Sequence, residues 1–198
     1  MTVKGQNIDR RIIRTKQLLK EALITLINEK GYDAITVQDL ADRATVNRAT
    51  FYLHYHDKQD LLDHSMAEVL SSLEERLRSL ATHQPVGATA LISLFEHVAE
   101  HADFYAVMLG KRGFPGFMAS MTQLFQTYFQ SLLENCSKHD NRSDVPKEIT
   151  IRYITSAYLG VILWWLENGM PYPPEYMASQ LFTLSRAKSL AGTAPSSV

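Results

Sequence analysis

Apolar residues recur at spacings of three and four through most of this 198-residue chain, and no segment alternates with period two. That pattern predicts an all-α fold. Ile12, Ile13, Leu19, Ala22, Leu23, Leu26 and Ile27 form one buried stripe of a first helix over residues 9–30. Gly31 is placed to end it as a left-handed cap, with Tyr32 folding back on the last turn. Thr36 can cap a short second helix over 36–43, with Asp39 completing a capping box and Val37, Leu40 and Ala41 turned inward. After Ala44, Thr45 and Val46, Asn47 can cap a third helix over 48–55, where only Phe51 and Leu53 are apolar. One side of that helix is left for something other than packing. Asp57, with Asp60 at the box position, starts a fourth helix that runs to about residue 81.

Downstream, helical spacing returns over residues 88–101, 103–109, 115–137, 146–168 and 174–188, for about nine helices in total. Residues 82–87 and the polar 138–144 read as loops. The expected organisation is a helix-turn-helix head over 1–56, a larger helical domain over 57–190, and a disordered tail over 191–198. The penultimate helix carries Tyr153, Ile154, Ala157, Tyr158, Val161, Ile162, Trp164 and Trp165 around more than half its circumference at 100° per residue. A helix so apolar needs cover from two sides, and a second copy of the chain is the expected source of one. Ser156 and Gly160, four apart, would let another helix approach closely.

Composition changes this picture in three ways. The longest apolar run, residues 157–166, falls well short of the ~20 residues of a bilayer crossing, and no signal peptide opens the chain. A cytoplasmic protein is therefore expected. The single cysteine, Cys136, excludes an internal disulfide and any all-cysteine metal site. Residues 1–60 carry ten Lys and Arg against eight Asp and Glu, whereas the remainder has ten against thirteen. Within the first 20 residues, Lys4, Arg10, Arg11, Arg14, Lys16 and Lys20 face only Asp9. Any phosphate-binding surface belongs at the amino end.

The stretch from Thr36 to Leu62 has the order needed to dock on DNA: two short helices packed by small apolar residues, the second presenting side chains to the major groove. Asn47, Arg48 and Thr50 sit at the start of that second helix. Arginine can bond a guanine edge with two donors, asparagine can do the same for adenine, and a threonine methyl suits thymine. Thr36, Tyr52, His54, Tyr55 and Lys58 are candidates to hold the phosphate backbone, which positions without specifying sequence.

These residues resemble the DNA-binding motif of the TetR/AcrR family of bacterial transcriptional regulators. Thr36, Val37, Ala41, Ala44, Val46, Thr50, Phe51, Tyr52, His54, Lys58 and Leu61 match its pattern, and Leu40 and Tyr55 are conservative replacements. Thr45 stands where the family turn usually has glycine, Asn47 where serine usually caps, and Ala49 where glycine is frequent. A β-branched residue resists a positive φ, so Thr45 is the first place to look for a departure from the family geometry. Residues 158–175 look like a carboxy-terminal subtype that includes activators of dihydroxyacetone kinase operons.

The resemblance implies a homodimer joined through its last two long helices, a near-palindromic double-stranded operator, and a small-molecule effector held in the larger domain. It implies neither a cofactor nor catalysis. Candidate pocket residues are Phe104, Tyr105, Met108, Phe117, Met121, Phe125, Tyr128 and Trp164, for which core packing is the competing role. Candidate dimer residues are Ile154, Tyr158, Val161, Trp165, Met177, Leu181 and Leu184. A repressor is expected, with an activator of the same family as the alternative.

Two readings from other classes compete. His97, Glu100 and His101 form HVAEH, the H-x-x-E-H pattern of inverted zinc peptidases. Helical projection puts His97 about 150° and His101 about 110° from the centre of the apolar side, toward solvent or a helix edge. No metal site is expected there. The second reading is a helical protein-interaction adaptor that keeps the head fold without reading DNA.

Overall fold

The computed structural model describes residues 3–81, 86–110, 113–136 and 145–190. The loop over 138–144, the tail over 191–198 and residues 82–85 of the expected 82–87 loop lie outside the described residues. Among the described residues the fold is all-α, with nine helices and no strand. They are α1 (Val3–Lys30), α2 (Val37–Arg43), α3 (Arg48–Tyr52), α4 (Lys58–Ala81), α5 (Val86–Glu100), α6 (Ala102–Leu109), α7 (Pro115–Cys136), α8 (Lys147–Glu167) and α9 (Pro174–Leu190). The chain divides into two compact units, Met1–Val69 and Leu70–Val198, the division falling within α4.

In the first unit, local chemistry closes the helices as their sequence demands. Gly31 takes φ +79° after α1, and the Tyr32 hydroxyl donates to Gln59 at 2.8 Å. The Thr36 hydroxyl accepts the Asp39 amide at 3.2 Å while the Asp39 carboxylate accepts the Thr36 amide at 2.8 Å, completing the capping box. Two ion pairs tie α1 to α2: Lys30 with Asp39 at 2.8 Å, and Glu29 with both nitrogens of the Arg43 fork at 2.8 and 2.6 Å. The buried core is Leu19, Leu23, Leu26, Leu40, Ala41, Phe51, Leu61 and Leu62, each large side chain contributing roughly 1.5–3 kcal/mol. Ile12 and Ile13 stay exposed, so the buried stripe of α1 begins at Leu19. At the start of α4 the Asp57 carboxylate accepts the Asp60 amide at 2.9 Å, but Asp60 reaches back to the His56 amide rather than to Asp57. The reciprocal box is thus stretched by one residue.

The turn between α2 and α3 keeps the left-handed geometry that Thr45 should resist. Thr45 takes φ +55°, its amide donates to Asp42 O at 3.1 Å, and the Val46 amide donates to Ala41 O at 2.9 Å. This pair of bonds is the Schellman closure of a helix end. The turn holds because Leu40, Ala41 and Ala44 are all buried and set the chain direction on both sides of it. Thr45 therefore carries backbone strain, and Thr45→Gly is expected to stabilise the protein by about 1 kcal/mol. A rise in the urea midpoint at unchanged slope is the measurement.

Hydrogen bonding by Lys30, then by Thr36, holds the Asp39 carboxyl well below the usual carboxylate range. A carboxyl depressed in the folded state adds stability that is complete above its unfolded pKa and is lost as pH falls through its folded value. Asp39→Asn should therefore lower the thermal midpoint at pH 7 and flatten its fall below about pH 4, readable by a melting series.

The second unit is built from paired helices, α5 against α9 and α7 against α8, with α6 against α5, α7 and α8. Phe95 of α5 meets the edge of Trp165 of α8 at 5.2 Å between ring centres, and Trp165 Nε1 donates to Tyr172 O at 2.8 Å. Phe104 and Tyr105 of α6 both meet Phe117 of α7, at 5.5 and 5.8 Å. By length and composition α8 alone among the described helices could cross a membrane. Here it lies against α6 and α7 with Thr155, Tyr158, Ile162, Trp165 and Leu166 buried.

Candidate nucleic-acid interface

The third helix is one residue over a turn in length, and a single residue pins it. Phe51 is fully buried, packed edge-on to Tyr52 at 5.5 Å and tilted against Tyr55 at 5.9 Å. Around that anchor Arg48, Ala49, Tyr52 and Leu53 are exposed and Thr50 is half-buried. The helix ends at Tyr52 rather than Tyr55, and Leu53 stands 79% exposed.

The candidate base-reading residues divide. Arg48 is exposed and already oriented: its Nη2 donates to the Tyr52 hydroxyl at 3.3 Å, and its guanidinium lies 5.7 Å from the centre of the Tyr52 ring. Asn47 is committed locally, its Oδ1 accepting the Ala49 amide at 2.8 Å as the α3 cap. The oxygen a bidentate adenine contact would use is thus already accepting a bond, and Nδ2 is left as a donor.

The candidate phosphate contacts divide more sharply. Tyr52 is 48% exposed, and its hydroxyl proton is available while its oxygen accepts from Arg48. His54 is half-buried; burial and then the charge of Lys16 hold its pKa below the usual histidine value. The other three are engaged within the fold, which revises their assignment. The Thr36 hydroxyl donates to Asp39 at 2.6 Å. The Tyr55 ring is buried between Phe51 and His64. Lys58 Nζ donates to Tyr32 O, Asp33 O and Ile35 O at 3.0, 3.1 and 2.9 Å, and sits 4.6 Å over the Tyr32 ring.

Three donors meeting three carbonyls make Lys58 a clip between the start of α4 and the α1–α2 connection. Charge-assisted bonds of this kind are worth roughly 1.5–3 kcal/mol each at most. Lys58→Met is expected to destabilise the protein by about 2 kcal/mol and to leave the salt dependence of DNA binding unchanged. A slope flatter by about one would return Lys58 to the phosphate contacts.

Lys16 and Leu53 border the same surface. Lys16, exposed on α1 as are Arg10, Arg11 and Arg14, lies close enough to His54 to perturb its titration. The charge count pointed to its region but not to its neighbour. Leu53 had the apolar character of a packing residue, and only its exposure makes it a candidate for thymine methyl contact.

The larger unit also redistributes its candidates. Phe104, Tyr105, Met108, Phe117, Met121 and Phe125 are all at most 4% exposed and belong to one core, and burial raises the Tyr105 hydroxyl pKa strongly. Tyr128 is half-buried with its hydroxyl sealed, and burial, then Tyr158, pushes its pKa up to about 12. Trp164 does not join this set: it is 45% exposed on the outer side of α8. A separate cleft of about 520 Å³ is lined by Ala106, Gly110, Leu163, Leu166, Glu167 and Asn168 and touches none of the candidate pocket residues.

Four candidate dimer residues, Tyr158, Trp165, Met177 and Leu181, are buried within the protomer's own core. Ile154 and Val161 are half-buried, and Leu184 is 64% exposed. The outer stripe of α8 is instead Ile149, Tyr153, Ser156, Gly160 and Trp164, all exposed. Periodicity described how much of α8 is apolar but not which part meets α6 and α7.

His97 overturns the projection that turned it to solvent. It is fully buried, with Nε2 at 3.3 Å from the Ser72 hydroxyl and Nδ1 at 3.3 Å from the Tyr105 hydroxyl. The projection failed because α5 is covered on more than one side, by α6 and α9, and because the helix stops at Glu100, leaving His101 as the first residue before α6. The Glu100 carboxylate bonds Arg76. Among the described residues no three His, Cys, Asp or Glu side chains converge on a metal-sized site.

A short capped helix pinned by one phenylalanine, with arginine and tyrosine outside and a basic helix nearby, defines a helix-turn-helix DNA-binding regulator. The chain belongs to the TetR family of bacterial transcriptional regulators. The model described as bacterial regulatory proteins, tetR family, matches residues 19–64, and that described as transcriptional regulator C-terminal region matches 88–187. The chain is 23% identical over 181 residues to the HTH-type transcriptional regulator YxbF of Bacillus subtilis (strain 168), covering 89% of this chain and 46% of that protein. It thus spans about half the length of that relative. It is 23% identical to the HTH-type transcriptional repressor KstR2 of Rhodococcus jostii (strain RHA1), over 75% of this chain and 79% of the relative. The solved structure of the dihydroxyacetone kinase operon activator DhaS shares its fold, with TM-score 0.61 and 20% identity over 88% of this chain and 95% of that one. These families are of regulators, not enzymes.

Proposed function

We propose that this protein is a cytoplasmic homodimeric repressor that reads a near-palindromic operator and releases it when a small molecule binds the larger unit. The observation that carries the DNA-reading part is the outward, pre-oriented Arg48 on a helix whose only buried residue is Phe51. Arg48 bonds a guanine, Leu53 and the Thr50 methyl contact thymine, and Tyr52, His54 and the neighbouring Lys16 hold phosphates. Asn47 serves chiefly as the cap that starts the reading helix.

The dimer reading is supported by the exposed apolar residues Ile149, Tyr153 and Trp164 on α8 and Leu184 on α9, with Ser156 and Gly160 between the first three. Two-fold symmetry would set two reading helices against two half-sites. A repressor reading is supported by the name of the KstR2 relative, and an activator reading by that of DhaS. The division of roles among head, dimer face and effector site follows the expected boundary near residue 57.

Selection of bound fragments from random DNA tests the proposal. A near-palindrome with half-sites about one helical turn apart is the expected result; enrichment of no motif would favour a protein-interaction adaptor instead.

A further inference from the structure

The outermost point of α3 is apolar. Leu53 keeps helical backbone angles, φ −72° and ψ −19°, so the rotation of α3 extends through it. At about 100° per residue, the direction opposite the buried Phe51 falls midway between Ala49 and Leu53, about 20° from each. Both are exposed, and Leu53 at 79% is more exposed than Ile13 at 63% or Leu184 at 64%. The two stand four residues apart, where side chains on one helix are neighbours. A single exposed leucine is ordinary. A leucine and an alanine stacked at the apex of the helix that carries Arg48 touch whatever that helix touches.

Arg48 and Tyr52, also four apart, form a second ridge beside the first. They are turned onto each other, with Arg48 Nη2 donating to the Tyr52 hydroxyl at 3.3 Å and the guanidinium 5.7 Å from the ring centre. The exposed side of α3 is thus divided between a polar ridge and an apolar one. That division decides what each half can read. In the major groove thymine presents an accepting O4 and a C5 methyl group, whereas cytosine presents a donating N4 and no methyl. The side chains of alanine and leucine have neither donor nor acceptor, so they do not tell O4 from N4. They sense the methyl group alone, through its burial against them. To such a reader thymine and 5-methylcytosine are equivalent, and cytosine and uracil both lack the contact.

We infer that Ala49 and Leu53 form a reader of pyrimidine C5-methyl groups, so that the base step they face is selected for its methyl rather than for its base. The inference rests on the DNA-reading part of the function proposed above and goes beyond it. Methylation at C5 of an operator cytosine facing the pair strengthens binding, which makes occupancy of such an operator responsive to DNA methylation.

The test is selection of bound fragments by the full chain from three random libraries. One is ordinary DNA, one carries deoxyuridine in place of thymidine, and one carries 5-methylcytosine in place of cytosine. Ordinary DNA is expected to yield a motif with the guanine read by Arg48 and, at a neighbouring step, thymine. The uracil library should keep the guanine and lose the preference at that step, and the methylcytosine library should accept either pyrimidine there. On single fragments, exchanging the thymine for uracil or cytosine should weaken binding about fourfold, the worth of one buried methyl group. Exchange for 5-methylcytosine should change it by less than about twofold. Leu53→Ala, at an exposed position, should bring all these differences below about twofold while the guanine preference stays. A uracil library that returns the ordinary motif unchanged would overturn the inference. So would a preference for thymine over 5-methylcytosine above about tenfold, or a methyl preference that survives Leu53→Ala. Recovery of no motif from any library would instead remove the DNA-reading proposal beneath it.

Discussion

Gly160→Glu is expected to leave a folded protomer that no longer dimerises and binds its operator about 10²–10⁴-fold more weakly, roughly 3–5.5 kcal/mol. A Cβ added at Gly160 meets nothing within 4 Å, so the protomer itself has room for the larger side chain. The position lies on the exposed α8 stripe between Tyr153 and Trp164, and a helix of a second copy approaching there would meet both the bulk and the charge of glutamate. Loss of the dimer converts a two-site contact into two independent one-site contacts, which removes the effective-concentration advantage of the linked heads. Light scattering after size exclusion and a binding titration on the selected DNA read the two effects. A stable dimer with unchanged affinity would place the interface elsewhere. By contrast Trp165→Ala, on the other side of the same helix, removes a fully buried ring packed on Phe95. It should destabilise the protomer by about 3–5 kcal/mol.

The second large effect is expected at Arg48. Arg48→Ala should reduce affinity for the preferred operator by about 1–3 kcal/mol and relax the preference at one base position per half-site. Tyr52 refines the prediction, because its ring and hydroxyl hold the guanidinium in the free protein. Tyr52→Phe keeps the ring but loses the hydroxyl, so it should weaken binding less than Tyr52→Ala. The two Tyr52 variants should also loosen the same base position as Arg48→Ala, beyond any uniform loss from a missing phosphate contact. A selected motif unchanged by Arg48→Ala would show that other side chains read the DNA.

The head was legible from sequence because its signals are local. The caps at Thr36 and Asn47, the left-handed Gly31 and the buried Leu40, Ala41 and Phe51 all appear in the structure in the register their spacing predicts. Each depends on residues within about four positions of one another, where a side chain either reaches the backbone amide or does not. Thr36, Tyr55 and Lys58 could not be assigned that way. Lys58 reaches carbonyls 23 to 26 residues away, and nothing local distinguishes a lysine that clips a turn from one that meets a phosphate. The same limit explains His97. Its partners Ser72 and Tyr105 lie 25 residues before it and 8 after, across two other helices.

The sequence by itself determined the helical class, the helix boundaries to within a turn in most of the chain, the capped head and the arginine that faces outward from it. Those follow from periodicity, from side-chain-to-backbone bonds and from the fact that a short helix with only Phe51 and Leu53 apolar leaves one side free of packing. Only the tertiary structure decided which hydroxyls and ammonium groups the fold had already engaged. It also decided which of two adjacent tryptophans faces the core, Trp165 on Phe95, and which faces outward, Trp164. The physical reason is that the 3.6-residue period fixes the angles between side chains on one helix, whereas the direction of its neighbours is fixed by long-range packing that the period does not encode.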